Sequence, residues 1–212
     1  MSWYYADFKK WISSGCPEVI CEGRAELVVA DTVRALYLGN NNLTTLNLTT
    51  LPKCVGQLVN LREFSLSDNK LTTLPECVGQ LLNLEVLDLG NNNLTTLPEC
   101  VGQLVNLERL YLTNNKLKTL PECVGQLVNL EFLHLNDNQL TTLPECIGQL
   151  VKLVRLDLDS NNFSSLPPVL GDLQHLQYFY YSNNPVGHIP DNVLRMLNRC
   201  DDADSRRVST PR

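Results

Sequence analysis

The 212-residue sequence predicts an α/β solenoid, in which short parallel strands stack along one axis and a helical cap closes each end. Three observations predict it. Leu or Ile followed by Pro places prolines at Pro52, Pro75, Pro98, Pro121, Pro144, Pro167 and Pro190, every interval being 23 residues. An asparagine recurs in step at Asn69, Asn92, Asn115, Asn138, Asn161 and Asn184. The composition sets 41 Leu, which seek the interior, beside 22 Asn, which seek turns, so a fold using both this heavily needs Asn as a structural part.

Each element follows from the unit L-x-x-L-x-L-x-x-N-x-L, seen at Leu107, Leu110, Leu112, Asn115 and Leu117. The alternation Leu110/Leu112 is a period-two strand signal, long enough for three to five residues. One such strand buries too little to fold alone, but a stack of them shares one core. The recurring Asn falls where the chain leaves the strand, and its amide satisfies backbone groups that the turn would otherwise bury unpaired. Leu-Pro-Glu-Cys-Val-Gly-Gln-Leu then leads to the next strand, its glycine suiting a tight curve. The first unit departs from the period: Asn41 and Asn69 are 28 residues apart, which reads as a five-residue insertion on the rim, around Leu46–Leu51.

These motifs resemble the leucine-rich-repeat family, in the 23-residue subtype whose units end in L-P-x-x-V-G-x-L. The resemblance covers roughly Val33 to Pro190. It implies a right-handed superhelix of about seven units with a short parallel sheet on its concave face. The expected organisation is a helical N-terminal cap over 1–32, repeats over 33–190, a C-terminal cap helix over 191–200 and a disordered tail over 201–212. Trp3, Phe8, Trp11 and Ile12 are spaced to share a helix face. Val193, Leu194, Met196 and Leu197 are expected to cover the last coil, and the charged tail has a single Val, Val208, among its charges.

Composition narrows the function classes. The formal net charge of -6, with no clustered basic excess, argues against binding a nucleic-acid backbone. No apolar run is long enough for a membrane span, and the first ten residues lack the basic-then-apolar order of a secretory signal. A cytoplasmic monomer is therefore expected. Cys54, Cys77, Cys100, Cys123 and Cys146 form a ladder whose side chains point the same way, an arrangement suited neither to disulfides nor to a tetrahedral metal site, so reduced thiols are expected. Cys16 and Cys21 leave open a clip within the N-terminal cap. His134, His175 and His188 have no ligand spacing, and no nucleophile–base arrangement or phosphate loop stands out. The expectation is no enzyme, no metal and no cofactor.

The repeats also disagree with each other, and that disagreement points to a site. On the strand's solvent side, the column between the second and third Leu positions reads Tyr37, Ser65, Asp88, Tyr111, His134, Asp157, Tyr180. The column just before the second Leu position reads Ala35, Glu63, Val86, Arg109, Phe132, Arg155, Tyr178. Arg109, Tyr111, Phe132, His134, Arg155, Asp157, Tyr178 and Tyr180 thus gather on the C-terminal half of one face. Aromatics interleaved with Arg are the composition of an interface hot spot. The predicted function is non-catalytic recognition of a protein partner, as the family resemblance implies for a scaffold, an adaptor or a bacterial effector. Two alternatives stand beside it. One is the substrate-recognition part of an enzyme system such as a ubiquitin ligase, since a Trp-bearing cap ahead of such repeats resembles certain bacterial ligase effectors. The other is a surface or adhesion protein.

Overall fold

A computed structural model describes residues 2–4, 33–39 and 53–203 of the chain. The stacked coils build one parallel sheet of nine strands, taken in chain order from edge to edge. These are β1 (Ser2–Tyr4), β2 (Ala35–Tyr37), β3 (Glu63–Ser65), β4 (Val86–Asp88), β5 (Arg109–Tyr111), β6 (Phe132–His134), β7 (Arg155–Asp157), β8 (Tyr178–Tyr180) and β9 (Asp202–Ala203). Seven of them, β2 to β8, are the repeat strands, each with the L-x-L alternation or its Phe-bearing equivalent. Their central residues stack in register, Leu87 on Leu110, Leu133, Leu156 and Phe179, and all five are fully buried.

Each return path is a five-residue 3-10 helix, for example Glu99–Gln103 and Glu122–Gln126. The coils pack so closely there that a side chain on Gly125 would bring its Cβ within 2.5 Å of the Cys146 Cβ and 2.8 Å of the Cys146 carbonyl oxygen. The glycine therefore permits close approach between neighbouring coils, and the small Cys beside it belongs to the same fit. Between return path and strand lies the polar spine. Asn115 donates from Nδ2 to the Leu89 and Leu112 carbonyls at 2.9 and 3.2 Å, and its Oδ1 accepts the Leu94 N–H at 2.9 Å. Asn92, Asn138 and Asn161 repeat the pattern, and all four are buried. Buried amides fully used in this way confirm the structural reading of the column.

A second asparagine column was not singled out from the sequence. Asn83, Asn106 and Asn129 donate to the carbonyls of Val59, Leu82 and Val105 in the preceding coil. The residue before each spine Asn is also constrained: Asp68, Asn91, Asn114, Asp137, Ser160 and Asn183 all hold φ between 54° and 57°. Asn and Asp tolerate this left-handed backbone best among non-glycine residues, which accounts for the small polar column at that turn.

The ends differ from expectation in detail. Ser2–Tyr4 is a strand paired in parallel with β2, so Trp3 lies in the sheet and not on a helix face. An open sheet edge leaves a row of backbone donors and acceptors to be paired, and the extended segment pairs it. Phe8, Trp11 and Ile12, the inserted loop and the tail beyond Ala203 lie outside the described residues. At the other end a helix, α1 (Asp191–Leu197), buries Val193, Met196 and Leu197 as expected, but Leu194 points to solvent at 43% exposure. Asp202 and Ala203 pair with β8, which moves the start of the expected tail past them.

Cys54 corrects the reading of the thiol ladder. It is disulfide-bonded, whereas Cys77, Cys100, Cys123 and Cys146 are free thiols. As the first rung, Cys54 has no equivalent thiol before it in the column, so one side of it does not face a stacked copy of itself.

Candidate concave-face site

The register of the sheet turns the two variable columns into two rows on its outward side. Arg109, Phe132, Arg155 and Tyr178 are successive partners across β5 to β8, and Tyr111, His134, Asp157 and Tyr180 run parallel to them. All eight residues picked out by the sequence therefore sit on four adjacent strands. Leu110, Leu133, Leu156 and Phe179 between the rows point inward, because successive side chains on a strand alternate sides.

Neighbouring side chains lean on one another. The Arg109 guanidinium lies over the Phe132 ring, 5.6 Å from its centre, and Arg155 lies over Tyr180 at 4.9 Å. Both arginines thus lean toward the next strand in chain order. The Tyr111 and His134 rings meet edge to face, with centres 5.0 Å apart. Such contacts hold large side chains in place before any partner arrives, at roughly 0.5–1 kcal/mol each where exposed. Tyr178 ends its row more openly, at 36% exposure.

The polar groups in this layer are only partly used. Asp157 accepts the Asp159 N–H at 3.1 Å. His134 Nε2 and Arg155 Nε are buried and make no hydrogen bond. Burial, reinforced by the Arg155 charge, pushes the His134 imidazole below its ordinary range, with Asp157 opposing. Burial likewise pushes the Asp157 carboxyl up, against the Asp159 N–H and the charges of His134 and Arg155. Arg62 pairs with Glu85 well away from this cluster, and among the described residues neither Arg109 nor Arg155 forms an ion pair.

The N-terminal half of the same face is different. Glu63, Ser65, Val86 and Asp88 are small or acidic, and Tyr37 donates its hydroxyl hydrogen to Glu63. Glu108 and Glu131 continue an acidic line beside the strands. Among the described residues no group of three His, Cys, Asp or Glu side chains is placed to hold a metal ion, and no helix is long and apolar enough to cross a membrane.

Comparison with known proteins places this architecture. Residues 25–131 match the family model described as leucine-rich repeat region, and residues 106–163 match a second model, leucine rich repeat. No curated protein matches. Among solved structures, a leucine-rich-repeat protein of Leptospira interrogans is 37% identical with a TM-score of 0.64, over 82% of this chain and 49% of its own. The ectodomain of an Arabidopsis thaliana membrane receptor kinase, GASSHO1, solved with CASPARIAN STRIP INTEGRITY FACTOR 2, is 31% identical with a TM-score of 0.64, over 77% of this chain and 23% of its own. A Listeria monocytogenes internalin, 22% identical with a TM-score of 0.65, covers 81% of this chain and 54% of its own and shares the fold. The chain thus spans about half or less of the length of the first two.

Proposed function

The chain belongs to the leucine-rich-repeat family, whose domains generally mediate protein–protein interaction, and on that premise we propose that it is a non-catalytic module holding a protein partner on the concave face of β5 to β8. The observation that carries this reading is the confinement of change. Arg109, Phe132, Arg155 and Tyr178 occupy equivalent positions in coils whose interiors are nearly the same, and they assemble aromatic and cationic side chains into one layer. A strand face built on stacked backbone loses little conformational freedom on docking, which favours affinity.

The test is capture from source lysates by the wild type beside a Phe132→Ala/Tyr178→Ala/Tyr180→Ala variant first shown to be folded by circular dichroism. A protein retained by the wild type and lost by the variant is the expected result. Equal retention by both overturns the concave-face reading.

One observation favours a particular setting for the module. The disulfide at Cys54 suits an oxidising compartment, which supports the surface or adhesion version over a cytoplasmic scaffold. Alkylation of the chain taken directly from its native source, read by mass spectrometry, tests this. An unmodified Cys54 is expected, and a labelled Cys54 favours the cytoplasmic setting.

A further inference from the structure

Resting on the concave-face reading, we infer that the partner is an acidic polypeptide segment crossing the strands in extended form, with two carboxylates four residues apart that engage Arg109 and Arg155.

The spacing comes from the sheet. Arg109 on β5 and Arg155 on β7 occupy the same row with Phe132 between them. Adjacent strands are about 4.8 Å apart, so the two positions are separated by roughly 10 Å. Arg109 leans straight across onto Phe132 and Arg155 diagonally onto Tyr180, and that offset of two residues along the strand lengthens the separation of the guanidiniums to roughly 12 Å. An extended chain advances about 3.3 Å per residue and alternates its side chains, so carboxylates at positions i and i+4, on one side of the chain and roughly 13 Å apart, match it. Residue i+2, facing the same side, then lies between the two guanidiniums.

The chemistry comes from what the arginines do not do. Glu108 and Glu131 stand nearby, yet neither forms an ion pair with Arg109 or Arg155 among the described residues. Stacking on a ring leaves the edge of the guanidinium, with its fork of N–H donors, for an incoming carboxylate. The same neighbours narrow the ligand. Glu108, Glu131 and Asp157 border the row, so a continuous polyanion such as nucleic acid or an anionic membrane meets repulsion between the two arginines. Two point charges separated by neutral residues avoid it.

A random 12-residue peptide display library, selected on the full chain, tests the inference. Parallel selections use Arg109→Gln/Arg155→Gln and the Phe132→Ala/Tyr178→Ala/Tyr180→Ala variant. The wild type is expected to enrich peptides with Asp or Glu at i and i+4. For a synthetic peptide from that pool, changing either acid to its amide, or either Arg to Gln, should weaken binding about tenfold. Matched changes on the two sides should not add, since each removes the same contact. Arg155→Lys should recover only part of the loss, since it restores charge without the fork.

Enriched peptides without an acid pair overturn the inference, as does an empty selection. So does displacement of the peptide by duplex DNA or by phosphatidylserine vesicles. Binding lost in the aromatic variant but kept in the arginine variant sinks this inference and leaves the concave-face reading standing. Binding kept in both variants sinks the concave-face reading itself.

Discussion

Two consecutive coils show the contrast on which the molecule is built. Leu107, Leu110, Leu112 and Asn115 recur 23 residues later as Leu130, Leu133, Leu135 and Asn138, whereas Arg109 and Tyr111 become Phe132 and His134. Interior positions of a stack meet copies of themselves on both sides, so one residue type that packs well in one coil packs well in all. Outward positions meet solvent or a partner, and no stacking rule keeps them alike. The same strand thus carries a structural side and an address side, one residue apart.

The contrast is sharpest when the interior is cut. Leu133 is fully buried within the continuous core, and Leu133→Ala should lower unfolding stability by about 3 kcal/mol, from lost transfer energy and a cavity that the tight coils relax poorly around. Denaturant unfolding measures it. A change below ~1 kcal/mol would mean that the coils rearrange freely and that the interior is less constrained than its uniformity suggests.

The polar spine should come next. Asn115→Ala strands the Leu94 N–H and the Leu89 and Leu112 carbonyls, a loss of about 2 kcal/mol. Tyr111→Ala removes a half-buried ring with an edge contact to His134, about 1 kcal/mol or less. Thermal midpoints that coincide for the two variants would erase the distinction between the two sides.

The thiol ladder gives a pH-dependent version of the same comparison. Burial pushes the Cys100, Cys123 and Cys146 thiols from their ordinary 9.0 up to about 11, chiefly by desolvation and with Glu76, Glu99 and Glu122 adding to it. An unfolded chain loses these protons first, so the folded state holds more of them between pH 9 and 11. Their contribution is complete below 9 and declines as pH rises through 11. Stability measured across that window should fall less steeply in a Cys100→Ala/Cys123→Ala/Cys146→Ala variant than in the wild type. Equal slopes would show that the ladder does not govern the alkaline limit.

Much of this was legible in the letters. Seven prolines and six asparagines at one period define the coils and their register, because a buried position that repeats must repeat its chemistry. The shared outward face of the eight candidate residues was legible too, since Phe132 or Tyr178 at an outward position has no interior to serve. Less legible were the ends. Trp3 has helical spacing to Phe8 and Trp11, yet Ser2–Tyr4 pairs as a strand, because the open edge of β2 offers hydrogen bonds that no local pattern announces. Leu194 reads as part of a covering face but falls on the outer side of α1.

The sequence by itself determined the solenoid, the spine and the identity of the variable face, since all three follow from which residues stay the same at a fixed period. Only the tertiary structure decided how that face is arranged. Arg109 stacks straight across onto Phe132, while Arg155, in the same column, reaches diagonally to Tyr180. His134 loses its solvent on one nitrogen, and Cys54 leaves the ladder that its neighbours keep. The two arginine contacts depend on which side chain stands one coil away, 23 or 25 residues along the chain. They were set when stacking brought those side chains within reach of each other.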